Sequence, residues 1–292
     1  MKKPETVTIV IPTYNNSDLL NYTLKSITQQ IFNKDNIEVI VVDDGSSDGT
    51  FSVVGKYMSI LKLKYFYQED KGNRVSLARN IGLENATSDI VILVDSGILL
   101  DDIFVAEHVK QHWLNGPDCA VIGYVSGFDQ YAGDLNRIIL LTNKDNPSKS
   151  IKKFRKYNMF RDMRDPYYKK YNSEINHLPA PWAFFLTCNV SINKSYLQKV
   201  GLFDVAFDQR WGVEDLEFGY RLFLNNIKFV VAENAVALHY PHDDSMEEKF
   251  NEELYNKYLF HEKHQAVSTQ LFLDTTFIEL NDKLISAQKI SA

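Results

Sequence analysis

Two adjacent carboxylates, Glu214 and Asp215, are the clearest indication of catalysis in this sequence. They follow Trp211 and Gly212 in the segment WGVEDLEFGYRL, whose pattern predicts a turn and then the start of a helix. Acidic residues are also expected at a helix N-terminus, because the helix dipole favours negative charge there. A tryptophan-glycine turn beside paired acids has no obvious structural purpose, however, so we expect one carboxylate to act as a general base.

Polar residues also follow several apolar segments that have the composition of buried strands. Such side chains could bind a base or a ribose, although each group also has the composition of an ordinary turn. They are Thr13, Tyr14 and Asn15 in PTYNN, Asp43 and Asp44 in VVDDGSSDGT, and Asp95 and Ser96 in VDSG.

Two further pairs could bind charged ligands. Arg74 and Arg79 lie on one predicted helix, and arginine is well suited to forked contacts with phosphate oxygens. The alternative is that they are exposed helix residues. His239 and His242 in LHYPH follow a predicted strand, and their spacing suits two metal ligands, or one ligand and a bystander.

Alternating strands and helices would position these groups in the first half of the chain. Continuous apolar strands between helices predict an α/β fold with a parallel sheet covered on both faces, where ligands bind beyond the carboxyl ends of the strands. The predicted strands are Val7–Tyr14, Ile37–Val42, Leu63–Tyr67, Ile90–Val94 and Ala120–Val125. The predicted helices are Ser17–Gln30, Asp48–Ile60, Asn73–Asn85 and Asp101–Leu114.

The alternation ends after Gly127. A Lys-, Arg- and Tyr-rich segment at 144–171 predicts a helical insertion or a mobile loop, and 179–192 is strand-like. A short helix at 193–200, a helix at 214–225 and a strand at 227–232 follow. Beyond them, apolar residues at every fourth position predict an amphipathic helix packed on the main domain: Met246, Phe250, Leu254 and Tyr258. The tail after Val267 has no clear pattern.

The composition limits the class of protein. The 292 residues are 45% hydrophobic and 24% charged, which fits one large α/β domain with appendages or at most two domains. The net charge of -6 argues against nucleic acid as the main partner. Cys119 and Cys188 form no disulfide framework and are expected to be reduced and buried. No signal peptide or membrane span is evident, so we expect a soluble cytoplasmic protein, with peripheral membrane contact left open.

Taken together, these motifs resemble those of the family 2 inverting glycosyltransferases, which have the GT-A fold. The match consists of IVIPTYNN, VIVVDDGSSDGT, ARNIGL and ILVDSG, followed by CNVSI and GLFDVAFDQRWGVEDLEFGYRL. The second half is also similar to bacterial chondroitin-type polymerases and to galactosyltransferases. The resemblance implies a glycosyltransferase domain at 1–242, divided into a nucleotide-binding half (1–127), a variable insert (128–180) and an acceptor half (181–242). Residues 243–292 would be a helical extension.

The resemblance also implies a role for each matching residue. Asp215 would be the general base, and Glu214 would bind acceptor or donor hydroxyls. Arg79 would hold the base or pyrophosphate of a UDP-sugar, and Asn189 would lie near the transferred sugar. The remaining donor-binding residues would be Pro12, Thr13, Tyr14, Asn15, Asp43, Asp44, Asp95, Ser96, Trp211 and Gly212.

One motif departs from the family pattern. Asp95 matches the first residue of the metal-binding DxD motif, but the third residue is Gly97. Either Asp95 and a histidine, His239 or His242, hold Mn²⁺ or Mg²⁺ together with the diphosphate, or the enzyme depends only weakly on a metal.

Two other functions compete with this hypothesis. A nucleotidyltransferase would need a basic glycine-rich loop after the first strand, and PTYNN is not one. A catalytically inactive nucleotide-sugar-binding protein would not need the Glu214–Asp215 pair. The acceptor stays open among glycans, lipid-linked sugars, proteins and small natural products.

Overall fold

The structure, a computed structural model, describes residues 6–127, 135–242 and 246–291. Within these ranges the strands form one eight-stranded sheet in the order β3-β2-β1-β4-β7-β6-β8-β5. The strands are β1 (Val7–Thr13), β2 (Ile37–Asp43), β3 (Lys62–Tyr67), β4 (Ile90–Leu93), β5 (Ile98–Leu100), β6 (Cys119–Ser126), β7 (Val190–Asn193) and β8 (Lys228–His239).

Helices surround the sheet and also form the C-terminal part of the chain. Those of the first half are α1 (Ser17–Ile27), α2 (Thr50–Tyr57), α3 (Val75–Asn85) and α4 (Phe104–Asn115). The middle contributes α5 (Leu135–Leu141), α6 (Pro147–Lys156), α7 (Asp165–Lys170), α8 (Leu197–Val200) and α9 (Glu214–Leu224). The C-terminal extension consists of α10 (Met246–His264), α11 (Val267–Phe272) and α12 (Leu280–Ser291).

The first half of the sheet is parallel, as the sequence predicts. β1 pairs in parallel with β2 and β4, and β2 pairs in parallel with β3. Consecutive residues of β1, β2 and β4 are buried, which requires cover on both faces. The second half is mixed, because β7 runs antiparallel to both β4 and β6. The predicted α/β fold is therefore confirmed, with a parallel nucleus and a mixed remainder.

A short strand absent from the sequence prediction, β5, follows directly after the turn at Asp95. It pairs antiparallel with the end of β8, where Ile98 lies opposite His239. Gly97 has a φ of +97°, in the left-handed region that glycine tolerates, and this conformation reverses the chain between β4 and β5. The pairing brings the Asp95 turn beside His239, although 144 residues separate them in sequence.

The basic insert is helical and anchored by a buried ion pair. Arg164 and Asp162 are fully buried, with the guanidinium Nη2 2.7 Å from the carboxylate. Arg164 also donates to the backbone carbonyls of Phe184 and Gly123, and Asp162 accepts from the amide of Val125. Of the two alternatives left by the sequence, the helical insertion is the one observed.

The strand predicted at 179–192 is mostly wrong. The chain instead makes two 3₁₀ turns, Pro181–Phe184 and Thr187–Asn189, and only the last residues form β7. Trp182 and Phe184 of the first turn and Phe185 directly after it are all buried. Their apolar character reflects burial rather than strand geometry, and a short apolar run does not distinguish the two.

The C-terminal helix α10 exists, but its packed face is not the predicted one. Phe250 and Tyr258 are 64% and 57% exposed, whereas Asn256 and Phe260 are completely buried. A strict four-residue repeat turns by about 40° at each step on a helix of 3.6 residues per turn, so it does not keep to one face. Phe260 packs edge-on against Trp182, with ring centroids 5.5 Å apart.

Two simpler expectations can also be compared with the structure. Cys119 and Cys188 are both buried thiols, as predicted. Across the described ranges, none of the helices is both long enough and apolar enough to cross a lipid bilayer.

Candidate active site

Two cavities meet beyond the carboxyl ends of the central strands. The strand-end cavity, of about 260 Å³, is lined by the end of β1, by residues that follow β1, β2 and β4, and by part of α3. The helix-side cavity, of about 250 Å³, extends from the same point towards α9, α10 and the turn before α12. Seven residues line both cavities: Arg79, Asp95, Ser96, Trp211, Gly212, Glu214 and His242.

The strand-end cavity contains most of the predicted donor-binding residues. Pro12, Thr13, Tyr14 and Asp44 line it, and Tyr14 is 49% exposed. Asp44 accepts from the backbone amide of Arg74 at 2.7 Å and from its guanidinium at 3.1 Å. Arg74 therefore fixes the Asp44 carboxylate rather than standing alone on a helix surface.

Three of the predicted donor-binding residues, Asp43, Asn15 and Asn189, do not line either cavity. Asp43 is buried and accepts from the amide of Ser46 and the hydroxyl of Tyr65. Asn15 accepts from the amide of Ser47. Both side chains shape the loop after β2, so sequence adjacency to Asp44 and Tyr14 does not place them at the cavity.

Arg79 joins the two cavities electrostatically. Its side chain is 5% exposed and lies 2.7 Å from Glu214 and 3.1 Å from Asp95. Burial alone would lower the pKa of this guanidinium, but Asp95 and then Glu214 raise it, so it stays charged. One buried cation thus holds carboxylates from β4 and α9 together.

Several buried polar atoms at this junction have no hydrogen-bond partner among the described residues. They are Thr13 Oγ1, Ser96 Oγ, Arg79 Nε and Glu214 Oε2. Buried polar atoms are nearly always satisfied in native proteins. These four atoms belong to residues that line the two connected cavities.

The motif GLFDVAFDQR has a structural purpose that its sequence does not reveal. Asp208 accepts from the amide of Ser76 at 2.8 Å and so caps the start of α3. Asn80 and Phe203 exchange two hydrogen bonds of 2.8 Å each. These contacts tie the helix that bears Arg79 to the segment before Glu214, which accounts for the convergence of the two motifs.

The turn before α9 contains a strained residue. Gly212 and Val213 both have positive φ, at +87° and +77°, and Val213 is buried. Positive φ is strongly disfavoured for a β-branched side chain, and strain of this kind is frequent at functional sites. The turn is held from outside, because Asn256 of α10 donates to the Gly212 carbonyl and Glu252 accepts from the Trp211 amide.

Asp215 lies on the wall of the helix-side cavity. Its carboxylate accepts from the amide of Leu216 at 2.8 Å and faces the amide of Thr187 at 3.4 Å. Burial, followed by repulsion from Glu214, raises the pKa of Asp215 to about 8, while Arg79 opposes the shift. A carboxylate whose pKa lies near neutrality is suited to accepting a proton from a reacting hydroxyl.

Asn189 is not brought to either cavity. Its amide donates to the carbonyls of Tyr124 and Ala235, and its oxygen faces His108 Nε2 at 2.9 Å. The side chain is completely buried, so it ties β6, β8 and α4 together beneath the site. The preceding residues of the same 3₁₀ turn, Thr187 and Cys188, line the helix-side cavity instead.

The buried network continues from His108 to His112. Ser191 Oγ lies 2.9 Å from His108 Nδ1 and 2.8 Å from His112 Nε2. Burial lowers the pKa of His108 to about 4 and that of His112 to about 3. Both imidazoles are therefore neutral at physiological pH.

The three predicted metal ligands line the helix-side cavity together. Asp95, His239 and His242 all contribute to its wall, and the two imidazole centroids are 5.4 Å apart. Over the described part of the chain, however, no group of three His, Cys, Asp or Glu side chains has metal-binding geometry. At Gly97, a side chain would combine positive φ with a contact of 3.1 Å to Leu19. The donors of Asp95, His239 and His242 would suit an ion that completes its coordination with oxygen atoms of a bound ligand.

Sequence reasoning missed the far wall of the helix-side cavity. It comprises Leu186 from the segment between the two 3₁₀ turns, Lys249 and Glu253 from α10, and Phe277 from the turn before α12. The Lys249 ammonium lies 5.1 Å from the centre of the Trp211 ring. No local pattern marks Lys249, Glu253 or Phe277, because only the packing of the extension brings them to the cavity.

The chain is similar to named glycosyltransferases. Validoxylamine A glucosyltransferase of Streptomyces hygroscopicus subsp. jinggangensis is 32% identical over 270 residues, covering 92% of this chain and 64% of the relative. Residues 1–242 alone could not supply that coverage, so the alignment includes part of the extension. Chondroitin synthase of Pasteurella multocida is 34% identical over 243 residues, covering 80% of this chain and 24% of the relative. The chain thus spans less than two thirds of the length of these relatives.

A solved structure agrees on the fold. Staphylococcus aureus TarS 1–349 in complex with UDP-GlcNAc superposes with a TM-score of 0.62, covering 88% of this chain and 66% of that chain at 18% identity. Identity at this level supports the fold alone. The sequence model described as glycosyl transferase family 2 matches residues 8–198, which end before Glu214. The matched region is the larger part of the chain, and the protein therefore belongs to glycosyl transferase family 2.

Proposed function

We propose that this protein transfers a sugar from a UDP-sugar to an acceptor with inversion at the anomeric carbon. The observation that carries the proposal is the meeting of two cavities at Arg79, Asp95 and Glu214, with Asp215 on the wall of the second. Membership of glycosyl transferase family 2 supports it, as does the fold shared with a protein solved with UDP-GlcNAc.

The strand-end cavity would hold the nucleotide. Thr13 and Asp44 would contact the uracil and ribose, because the Thr13 hydroxyl lacks a partner and Arg74 fixes the Asp44 carboxylate. Tyr14 is half exposed at the rim, where its ring would cover the base. The diphosphate would then lie at the junction, next to Ser96, whose buried hydroxyl also lacks a partner.

The acceptor hydroxyl would react from the helix-side cavity. Asp215 would take its proton while the hydroxyl oxygen forms a bond to the anomeric carbon and the bond from that carbon to the diphosphate oxygen breaks. UDP leaves with the bonding electrons, and the proton remains on Asp215 until it passes to water. Attack from the cavity opposite the leaving group gives inversion.

The charge that develops on UDP needs a cation beyond Arg79. That guanidinium already faces two carboxylates, Asp95 and Glu214, so the three groups together carry a net negative charge. Asp95 with His239 or His242 would hold Mn²⁺ or Mg²⁺, which would supply positive charge beside the diphosphate.

The acceptor would be a small hydroxylated ring compound. Trp211 and Phe277 offer aromatic surface in the helix-side cavity, and Asp215 and Glu253 offer hydroxyl acceptors. A cavity of about 250 Å³ is matched to one sugar-sized ring rather than to a protein surface. The relative that transfers glucose to validoxylamine A shares part of the extension that forms this wall.

Release of UDP from UDP-glucose, UDP-galactose and their N-acetyl forms, with and without small saccharides and Mn²⁺, tests the proposal. We expect slow UDP release into water and faster release with an acceptor. Asp215→Asn should lower both rates roughly 100-fold or more while UDP binding persists. Pyrophosphate release from a nucleoside triphosphate would instead indicate a nucleotidyltransferase. Tight UDP binding without turnover under any condition would indicate a binding protein.

Preference for the base is tested separately by calorimetry with UDP, GDP and CDP. We expect UDP to bind most tightly, because Asp44 directly follows the strand at whose end a base edge would lie. Equal affinity for the three nucleotides would refute the assignment of Asp44 to uridine recognition.

A further inference from the structure

The insert between β6 and β7 has a charge opposite to that of the whole chain. Residues 147–170 contain nine Lys or Arg and only two acidic residues, Asp162 and Asp165, whereas the net charge of the chain is -6. Both acidic residues are buried in the anchor of the insert. Five of the nine basic residues pair with carboxylates, and the other four, Lys149, Lys153, Arg155 and Lys156, lie on α6.

Much of this charge lies on one face of α6. Lys149, Lys153 and Lys156 are spaced by four and three residues, which places them on the same side of a helix. All three are exposed and have no ion pair with any described residue. The opposite face is fixed to the protein by Ile151 and Phe154, which are buried.

An exposed apolar helix adjoins this basic face. On α5, Leu140 is 82% exposed, and Leu135 and Ile139 are each 39% exposed. The two helices are linked through Ser150, whose hydroxyl donates to the carbonyl of Leu141 at 3.3 Å. Tyr157, 62% exposed at the end of α6, extends the apolar surface. We call Leu135, Ile139, Leu140 and Tyr157, with the three lysines, the α5–α6 surface.

We propose that the α5–α6 surface binds the face of an anionic lipid membrane. Exposed lysines attract acidic headgroups, and apolar side chains beside them enter the boundary between headgroups and acyl chains. A water-soluble polyanion would be attracted by the same lysines, but it would not bury an apolar side chain as exposed as that of Leu140. The combination of charge and apolar surface therefore favours a membrane.

This surface lies close to the cavities. The amide of Gly127 donates to the carbonyl of Phe160 at 2.8 Å, and a Cβ at Gly127 would lie 3.3 Å from Ile138 and 3.1 Å from the His239 carbonyl. His239 lines the helix-side cavity. A membrane bound at α5 and α6 would thus lie near the side of the site that carries His239.

Co-sedimentation of the full chain with vesicles tests the proposal. We expect no binding to phosphatidylcholine vesicles, and binding to vesicles with roughly one-third phosphatidylglycerol that weakens as salt is raised. Replacing Lys149, Lys153 and Lys156 by Gln should weaken this partition roughly 100-fold. Leu140→Ser should weaken it by about 10-fold at unchanged charge.

Matched controls separate a specific surface from general charge. Gln at Lys34, Lys56 and Lys199, which are exposed elsewhere, removes the same charge and should leave the partition within about 3-fold of wild type. Leu114→Ser controls for Leu140→Ser, since Leu114 is 59% exposed on α4. Equal binding to both vesicle types, no binding to either, or equal loss in variants and controls would overturn the proposal. Retention on heparin without vesicle binding would also overturn it and would indicate a soluble polyanion.

Discussion

Replacing Glu214 by Gln should move the pH dependence of catalysis in a direction that the site geometry fixes. Asp215 acts as a base only as a carboxylate, so the rate should rise as pH increases through its pKa. Burial and the negative charge of Glu214 raise that pKa, while Arg79 lowers it. Glu214→Gln removes the neighbouring charge and leaves Arg79 with fewer carboxylates to neutralise it. Both effects lower the pKa of Asp215, and the acid limb should therefore move to lower pH.

The size of the shift follows from elementary electrostatics. A like charge at roughly 7 Å costs about 2 kcal/mol at an effective dielectric constant of about 20. One pKa unit corresponds to about 1.4 kcal/mol, so the acid limb should move to lower pH by roughly one to two units. Burial still raises the pKa in the variant, so the limb should not return to the range of an exposed aspartate.

The assay is the pH profile of UDP release from whichever UDP-sugar reacts fastest. Asp204→Asn is a matched control, because it makes the same change from acid to amide at a residue paired with Lys263 and outside both cavities. The control profile should coincide with that of wild type. An acid limb in Glu214→Gln that stays in place or moves to higher pH would refute the coupling between the two carboxylates.

Three further results are expected. Asp215→Asn should lower turnover roughly 100-fold or more with an unchanged Kd for UDP, and near-normal turnover of a folded variant would remove Asp215 from the mechanism. Mn²⁺ should bind weakly alone and more tightly with UDP, as measured by calorimetry, and His239→Ala should reduce that gain; an unchanged gain would point to His242. His108 and His112 have folded pKa values below the unfolded value of about 6.5. Their contribution to the free energy of unfolding is therefore fully present above that pH and is lost as the pH falls. At pH 5, each histidine should have lowered the free energy of unfolding by about 2 kcal/mol relative to neutral pH. The double substitution of both histidines by Gln should flatten this loss in thermal melts between pH 7 and 5, and an equally steep loss would show that other groups cause it.

The parallel half of the fold could be predicted because its signals are local. Each strand from β1 to β4 is a continuous apolar run bounded by polar turns, and the helices between them begin near residues suited to turns. The strand β5 could not be predicted, since the run DIVILVDSGILL reads as one segment until Gly97 adopts a positive φ. Helix boundaries differ by a few residues, as at Ser17–Ile27 against the predicted 17–30.

The site could be predicted where residues follow strands and not where packing decides. Thr13, Asp44, Asp95 and Asp215 lie at the cavities, as motif position predicts. Asn189 does not, because its amide is consumed by backbone carbonyls of β6 and β8 that are remote in sequence. The cavity wall formed by the C-terminal extension could not be predicted either, since the apolar repeat of α10 indicated the wrong face of that helix.

The aromatic cluster around Trp182 determines how rigidly the C-terminal extension is held against the rest of the protein. The Trp182 ring meets Tyr220 of α9, Phe260 of α10 and Phe272 of α11, with centroids 5.3 Å, 5.5 Å and 6.3 Å away. Helices that share one such core open together, so the amides of α10 should exchange with solvent only when α9 also opens. The far wall of the helix-side cavity then has the rigidity of the domain interior rather than of a tail. The preformed shape of this cavity would then decide which molecules bind. Binding would carry no entropy cost for ordering the extension.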